Sequence, residues 1–267
     1  MTIEDTIEQS RLKLQACLDS QRALGTRKRL GQFATSTSLA GEMLQYAKSL
    51  LATESKIRFL DPAFGTGAFY SALLRVFPQA RVEKAVGFEI DFEYAHVAKE
   101  LWHNPSFALY TSDFTLAPQP KAEEQKFNLV ICNPPYVRHH YLSVEEKLRL
   151  SKTVRTMTEL ELSGYSGLYC YFMLISHDWM TSKGLGGWLV PSEFMDVNYG
   201  KEVKRYLLNQ VTLLRIHRFD PSEVQFKDAF VSSAVVWFRK EIPRPNHKVE
   251  FTYGGTLKTR YYSFYLD

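Results

Sequence analysis

Along the N-terminal part of the chain the apolar positions recur at helical spacing. Leu12, Leu14, Leu18 and Leu24 predict the apolar side of a helix ending near Gly25. After a loop over residues 26–36, a second helix is expected over about 37–52. The rhythm then changes. Short apolar runs occupy 57–60, 85–90, 107–110 and 127–132, and again 188–190, 211–216 and 234–238. Helix-length segments at 67–77, 92–102, 168–181 and 201–209 separate many of them. Such alternation predicts an α/β fold, a mostly parallel sheet covered by helices on both faces. The last two runs, joined by a short connection, are open to antiparallel pairing. Pro243-Arg244-Pro245 reads as a linker, and no internal repeat or low-complexity tract interrupts the pattern.

Open parallel sheets bind ligands beyond the carboxyl ends of their strands, which directs attention to four short stretches. The first is Asp61-Pro62-Ala63-Phe64-Gly65-Thr66-Gly67. Its two glycines allow a tight turn and close approach of backbone to a ligand at a helix N-terminus. A dinucleotide site would want a third glycine where Tyr70 stands. Asp61 suits the ammonium group of an amino-acid-like ligand better than a phosphate. The second stretch ends in Glu89-Ile90-Asp91, with Glu89 22 residues after Gly67, where a carboxylate can accept from ribose hydroxyls. In the third, Asp113 is placed to bond an adenine amino group while Phe114 packs against the base. The fourth is Asn133-Pro134-Pro135-Tyr136. Its prolines stiffen the backbone and remove two N–H donors. That leaves the Asn133 side-chain oxygen and the Pro134 carbonyl as acceptors beside an aromatic ring, a set matched to a flat base bearing an exocyclic amine.

Composition and charge narrow the picture only a little. Hydrophobic residues make up 45% and charged residues 23% of the 267 residues, as in soluble globular proteins. No apolar stretch is long enough for a membrane span, and the N-terminus lacks the apolar core of a secretory signal. Three scattered cysteines give neither a disulfide framework nor metal-ligand spacing, so a reducing, cytoplasmic setting without a metal is expected. A net charge of +4 permits a nucleic-acid partner without arguing for one. Its distribution says more: Arg27, Lys28 and Arg29 cluster, and a basic stretch runs from Arg138, His139 and His140 through Lys147, Arg149, Lys152 and Arg155. Arg138, His139 and His140 are read as loop contacts to a nucleic-acid backbone.

In order and content these motifs resemble the DNA adenine-N6 methyltransferases of restriction–modification systems, in the class whose catalytic motifs precede the target-recognition domain. Gly31-Gln32-Phe33-Ala34-Thr35-Ser36 is similar to that family's N-terminal cofactor motif, and residues 61–69, 89–91, 113–114 and 133–136 to those that follow it. The segments 165–172 and 187–192, and Phe226 followed by 231–236, fit its downstream helix and strands. The resemblance implies a Rossmann-like class I methyltransferase fold with a seven-stranded sheet. It implies S-adenosyl-L-methionine as cofactor, held by Thr35, Asp61, Pro62, Gly65, Gly67, Glu89, Ile90, Asp113, Phe114, Asn133 and Phe172. Catalysis falls to Asn133, Pro134, Pro135 and Tyr136, with Tyr136 and Phe226 against an adenine flipped from double-stranded DNA. Residues 1–26 are expected as a helical extension, 27–240 as the catalytic domain, and 241–267 as a linker and the start of a truncated or absent recognition region. Recognition would then lie in a missing domain or on another subunit, and a restriction endonuclease is a further expected partner. Other readings of the same motifs are a protein-glutamine or RNA adenine methyltransferase, or an inactive DNA-binding subunit of the same fold.

Overall fold

The structure, a computed structural model, describes residues 2–222 and 232–266. Phe226 and Val231, two positions of the downstream match, lie outside the described residues. Three helices come first, α1 (Ile3–Ser20), α2 (Leu24–Arg29) and α3 (Thr37–Leu50). Strand β1 (Ile57–Asp61) then leads to α4 (Ala68–Val76), β2 (Val82–Phe88) to α5 (Phe92–Leu101), and β3 (Phe107–Tyr110) by a loop to β4 (Phe127–Cys132). Helices α6 (Val144–Thr158) and α7 (Leu168–Ile175) precede the long β5 (Met180–Pro191). The chain continues through α8 (Lys201–Asn209), β6 (Thr212–Arg218), β7 (Ser233–Arg239), β8 (Val249–Tyr253) and β9 (Tyr262–Leu266).

All nine strands form one sheet in the order β3-β2-β1-β4-β5-β7-β6-β8-β9. Strands β1 to β5 pair in parallel, whereas β7 runs antiparallel to both neighbours. Side chains alternate between two cores. Phe59, Leu129 and Ile131 pack on the face covered by α3 and α4, while Leu60, Val130 and Cys132 face α6 and α7. The strand order reverses between β1 and β4, so their carboxyl ends open a crevice on which the first and fourth motifs converge.

Five sequence expectations need correction. The first helix ends at Ser20 rather than near Gly25, which lies inside the separate α2, over the start of the expected loop. The helix 168–181 ends at Ile175, because a 3₁₀ turn over Ser176–Trp179 leads into β5. Strand β5 begins well before residue 188. The Gly184-Leu-Gly-Gly187 stretch carries little apolar signal, yet a Cβ on Gly186 would sit 2.7 Å from the Phe238 ring and one on Gly187 2.5 Å from Trp237. The aromatic rings of β7 fill the space those glycines leave. Residues 241–267 do not form a mere linker: β8 pairs with β6 and β9 with β8, extending the seven-stranded core to nine. Lastly, Leu18 is buried as expected but Leu12 and Leu14 are exposed (43% and 38%), and beside Leu18 α1 buries Glu8 and Arg11. Arg11 grips Glu8 through two bonds of 2.7 Å and donates to Thr66 Oγ1 at 3.1 Å, while Thr37 donates to Glu8. A hydrophobic count misses such a face because its polar groups satisfy one another.

Candidate active site

The loop after β1 turns through two left-handed glycines, Gly65 (φ 56°) and Gly67 (φ 91°). At Gly67 a Cβ would lie 2.5 Å from Trp102 Nε1, so only glycine lets the loop pack there. The Gly65 N–H donates to Glu89 Oε2 and the Asp91 N–H to Oε1, both at 2.8 Å. Glu89 therefore clamps the glycine loop to the end of β2. Asp61 is buried and accepts from the Ala63 N–H at 3.2 Å. Burial pushes its carboxyl up to about 8, with the neighbouring Glu89 charge adding and the Ala63 bond opposing. Burial raises Glu89 as well.

A cavity of about 700 Å³ opens over these strand ends. Among the residues expected to hold a cofactor, Pro62, Gly65, Glu89, Ile90, Asp113, Phe114, Asn133 and Phe172 line it, as does Pro135. Thr35, Asp61 and Gly67 stand behind the wall, and neither Pro134 nor Tyr136 lines it. Ile90 is 70% exposed although aliphatic, an apolar surface presented to the cavity. Phe114 is buried, packed by Phe88, Phe172 and Trp179. Arg138, His139 and His140 are not lining residues; they sit on a loop and 3₁₀ turn, where His139 meets the exposed Tyr165 ring at 5.2 Å.

The Asn133 loop is held by the N-terminal motif. Asn133 Nδ2 donates to the Phe33 carbonyl at 2.8 Å and to Thr35 Oγ1 at 3.1 Å. A carbonyl can only accept, so this contact fixes which end of the amide is nitrogen. Oδ1 is left buried without a partner. Thr35 thus positions Asn133 rather than facing the cavity itself. Gly31, at φ 65°, accepts from the Tyr136 N–H at 3.1 Å; a Cβ there would come within 2.2 Å of that nitrogen. The Tyr136 ring is buried between Phe33 and Tyr169, and its hydroxyl donates to the Leu189 carbonyl at 3.1 Å. It packs within the core, not against the cavity.

The Eco57I restriction-modification methylase family profile matches residues 45–226, more than half of the chain. The chain belongs to this family. The Type II methyltransferase M.AccI of Acinetobacter calcoaceticus is 30% identical over 215 residues, covering 80% of this chain and 37% of that protein. The chain therefore spans well under half the length of that relative. Among solved structures, the type I restriction-modification methyltransferase subunit from Streptococcus thermophilus matches with a TM-score of 0.69 at 19% identity, over 83% of this chain and 47% of the other. A candidate class I S-adenosylmethionine-dependent methyltransferase from Listeria monocytogenes gives 0.66 at 15% identity, over 93% and 75%. These likenesses establish the class I methyltransferase fold.

S-adenosylmethionine is the cofactor of this fold and family, and the cavity fits it. Its wall offers a carboxylate at a strand end (Glu89), an exposed aliphatic (Ile90), an aromatic cluster and, just beneath, a buried carboxyl pushed up to about 8 that a cationic ligand would ionise (Asp61). Several wall residues of this methylase carry no motif. Gln15 and Asp19 reach the cavity from α1, and Tyr94 from α5, its hydroxyl donating to Asp19 at 2.7 Å. Arg22 ties the same segment to Asp91, to which Gln32 also donates at 3.2 Å. Burial alone would raise Asp91, but these hydrogen bonds hold it below the usual carboxylate range. Asp91 also caps α5, accepting from the Glu93 and Tyr94 N–H groups. Arg149, counted in a basic stretch, also proves to be a wall residue. Among the described residues no helix is long and apolar enough to cross a membrane, and no cluster of His, Cys, Asp or Glu is placed to hold a metal.

Proposed function

We propose that this chain carries the methyl-transfer site of a DNA adenine-N6 methyltransferase acting on a base turned out of the duplex. One observation carries the reading: Asn133 lines the cofactor cavity with its amide nitrogen committed to two acceptors and its oxygen buried and unmet. An unmet buried acceptor costs on the order of 1–3 kcal/mol, which an arriving N–H donor recovers. An exocyclic amine supplies that donor. Accepting its hydrogen draws the nitrogen toward a pyramidal geometry and frees the lone pair that the ring otherwise delocalises. Pro134 and Pro135 keep the backbone at Asn133 rigid, so the acceptor is in place before the base arrives. When bound, S-adenosylmethionine supplies a methyl group on a positively charged sulfur. Glu89 orients its nucleoside part, Ile90 and Phe114 exclude water from its base, and Asp61 lies beneath the cavity wall as a counter-charge.

The amine is out of reach inside a stacked duplex, so flipping is part of the reading. Stacking of Tyr136 on the base requires its ring to leave the Leu189 carbonyl and the rings of Phe33 and Tyr169. Arg138, His139 and His140 are proposed as phosphate contacts outside the cavity. Sequence-specific recognition and any nuclease are assigned to other parts of a longer protein or to partner subunits. The test is transfer of labelled methyl from S-adenosylmethionine to DNA, RNA and protein in parallel, with the DNA digested to nucleosides. Label in N6-methyladenine is expected; label in RNA, in protein glutamine or in cytosine overturns the reading.

A further inference from the structure

We propose that Arg149 is a positioning residue for purine recognition, presetting Asp113 so that the cavity accepts a 6-amino purine and rejects a 6-oxo one. The inference rests on the reading of the cavity as the cofactor site, and adds to it a selector carried by a different helix.

An arginine side chain has only donors, and Arg149 Nη2 lies 3.0 Å from Thr115 Oγ1. Thr115 Oγ1 must accept there, which directs its single proton to its other partner, Asp113 Oδ1, at 2.8 Å. The Thr115 N–H also donates to Oδ1 at 2.8 Å, while Arg149 Nη1 anchors the Thr115 carbonyl at 3.1 Å. Asp113 Oδ1 is thereby taken by two donors. Oδ2 lies 3.7 Å from Arg149 Nη2, beyond hydrogen-bond distance, and remains able to accept. Asp113, Thr115 and Arg149 all line the cavity next to Phe114. A purine seated in the cavity beside Asp113 thus meets an acceptor that suits an amino group and repels a carbonyl oxygen.

Location supports a role beyond surface charge. Arg149 extends from α6, whose Glu146 and Leu150 share its cavity-facing side, while its side chain keeps only 34% of its exposure. Without it, the Thr115 hydroxyl is free to turn its proton elsewhere, and Asp113 Oδ1 loses one of its two fixed donors.

The experiment is calorimetric titration of the chain with S-adenosylhomocysteine and with its 6-oxo counterpart, S-inosylhomocysteine. Wild type is expected to prefer the amino ligand by at least about tenfold. Arg149→Gln and Thr115→Val are expected to reduce that ratio to roughly threefold or less, and Arg149→Lys to retain an intermediate value. A thermal melt of each variant identifies any that fails to fold, and Thr115→Val tests the relay with Arg149 in place. If both Arg149→Gln and Thr115→Val weaken the two ligands equally and leave the ratio unchanged, Arg149 merely braces the wall and the proposal is overturned while the cofactor reading stands. Equal affinities in wild type overturn the role of Asp113 and this proposal together. Failure of wild type to bind either ligand at millimolar concentration overturns the cofactor reading itself, and this proposal falls with it.

Discussion

The two halves of the cavity are built on opposite plans. On the cofactor side Glu89 and Ile90 line the cavity, Glu89 braced by the Gly65 and Asp91 N–H groups and Ile90 left largely in solvent. On the Asn133 side nearly everything is committed inward: the amide nitrogen is bonded twice, Tyr136 is buried and hydrogen-bonded, and Asn133 Oδ1 is left without a partner. The first half is shaped to receive a ligand of many contacts. The second is shaped to hold one acceptor still. Binding energy and transition-state stabilisation thus reside in different residues, and substitutions should separate them.

The sharpest way to break this division is Gly31→Ala. The added Cβ meets the Tyr136 backbone and must adopt a positive φ, so a loss of roughly 3 kcal/mol of stability is expected in urea denaturation. A loss below about 1 kcal/mol would mean that the Asn133 loop moves freely, against the rigid-half description. Next comes Asn133→Ala. Methyl transfer should drop at least ~100-fold, about 2.7 kcal/mol, while calorimetric affinity for S-adenosylmethionine stays within about threefold. A parallel collapse of affinity would merge the two halves into one.

Asp61 sharpens the cofactor half through pH. Its folded value is raised from 3.8 to about 8, so its contribution to stability is present below pH 4 and is lost as pH rises through about 8. The ligand-free chain should therefore melt at lower temperature at pH 9 than at pH 6. A cationic ligand favours the ionised form, so S-adenosylmethionine affinity should rise with pH over the same window, by at most about tenfold per unit. Asp61→Asn should flatten both trends, and persistence of the slopes would assign them to another group. The smallest expected effect is Tyr136→Phe. It removes one hydrogen bond to the Leu189 carbonyl at a cost of about 1 kcal/mol, and leaves the ring available for stacking. Transfer by this variant at or above the wild-type rate would fit a ring that must leave the core, whereas a large fall would assign the hydroxyl a part in catalysis.

Much of this architecture is legible in residue order. Each of the seven apolar runs overlaps a strand, and the residues just after β1, β2 and β4 are the glycine loop, Glu89 and Asn133. Strand ends in an open parallel sheet must converge, so motif order along the chain becomes geometry in the fold. What escaped detection shares one cause: it depends on partners distant in sequence. Gln15 and Asp19 reach the cavity because α1 docks through the buried pair Glu8 and Arg11 together with Leu18, and not through Leu12 or Leu14. Strand β5 starts early because rings from β7 occupy the space above its glycines. The C-terminal segment became two strands because β6 offered an edge, which Glu250, Thr252 and Leu257 complete around the buried Arg215.

Sequence alone determined the class of fold, the family and the kinds of side chain at the site, since periodicity and short motifs are local properties that survive without coordinates. Tertiary structure decided which of those side chains face the cavity. It turned Tyr136 into the core, set Thr35 behind Asn133, and drew Arg149 out of a basic stretch onto Thr115. The physical reason is that hydrogen bonding and burial are settled between segments far apart in the chain, where one residue's last free donor or acceptor depends on all the others already satisfied.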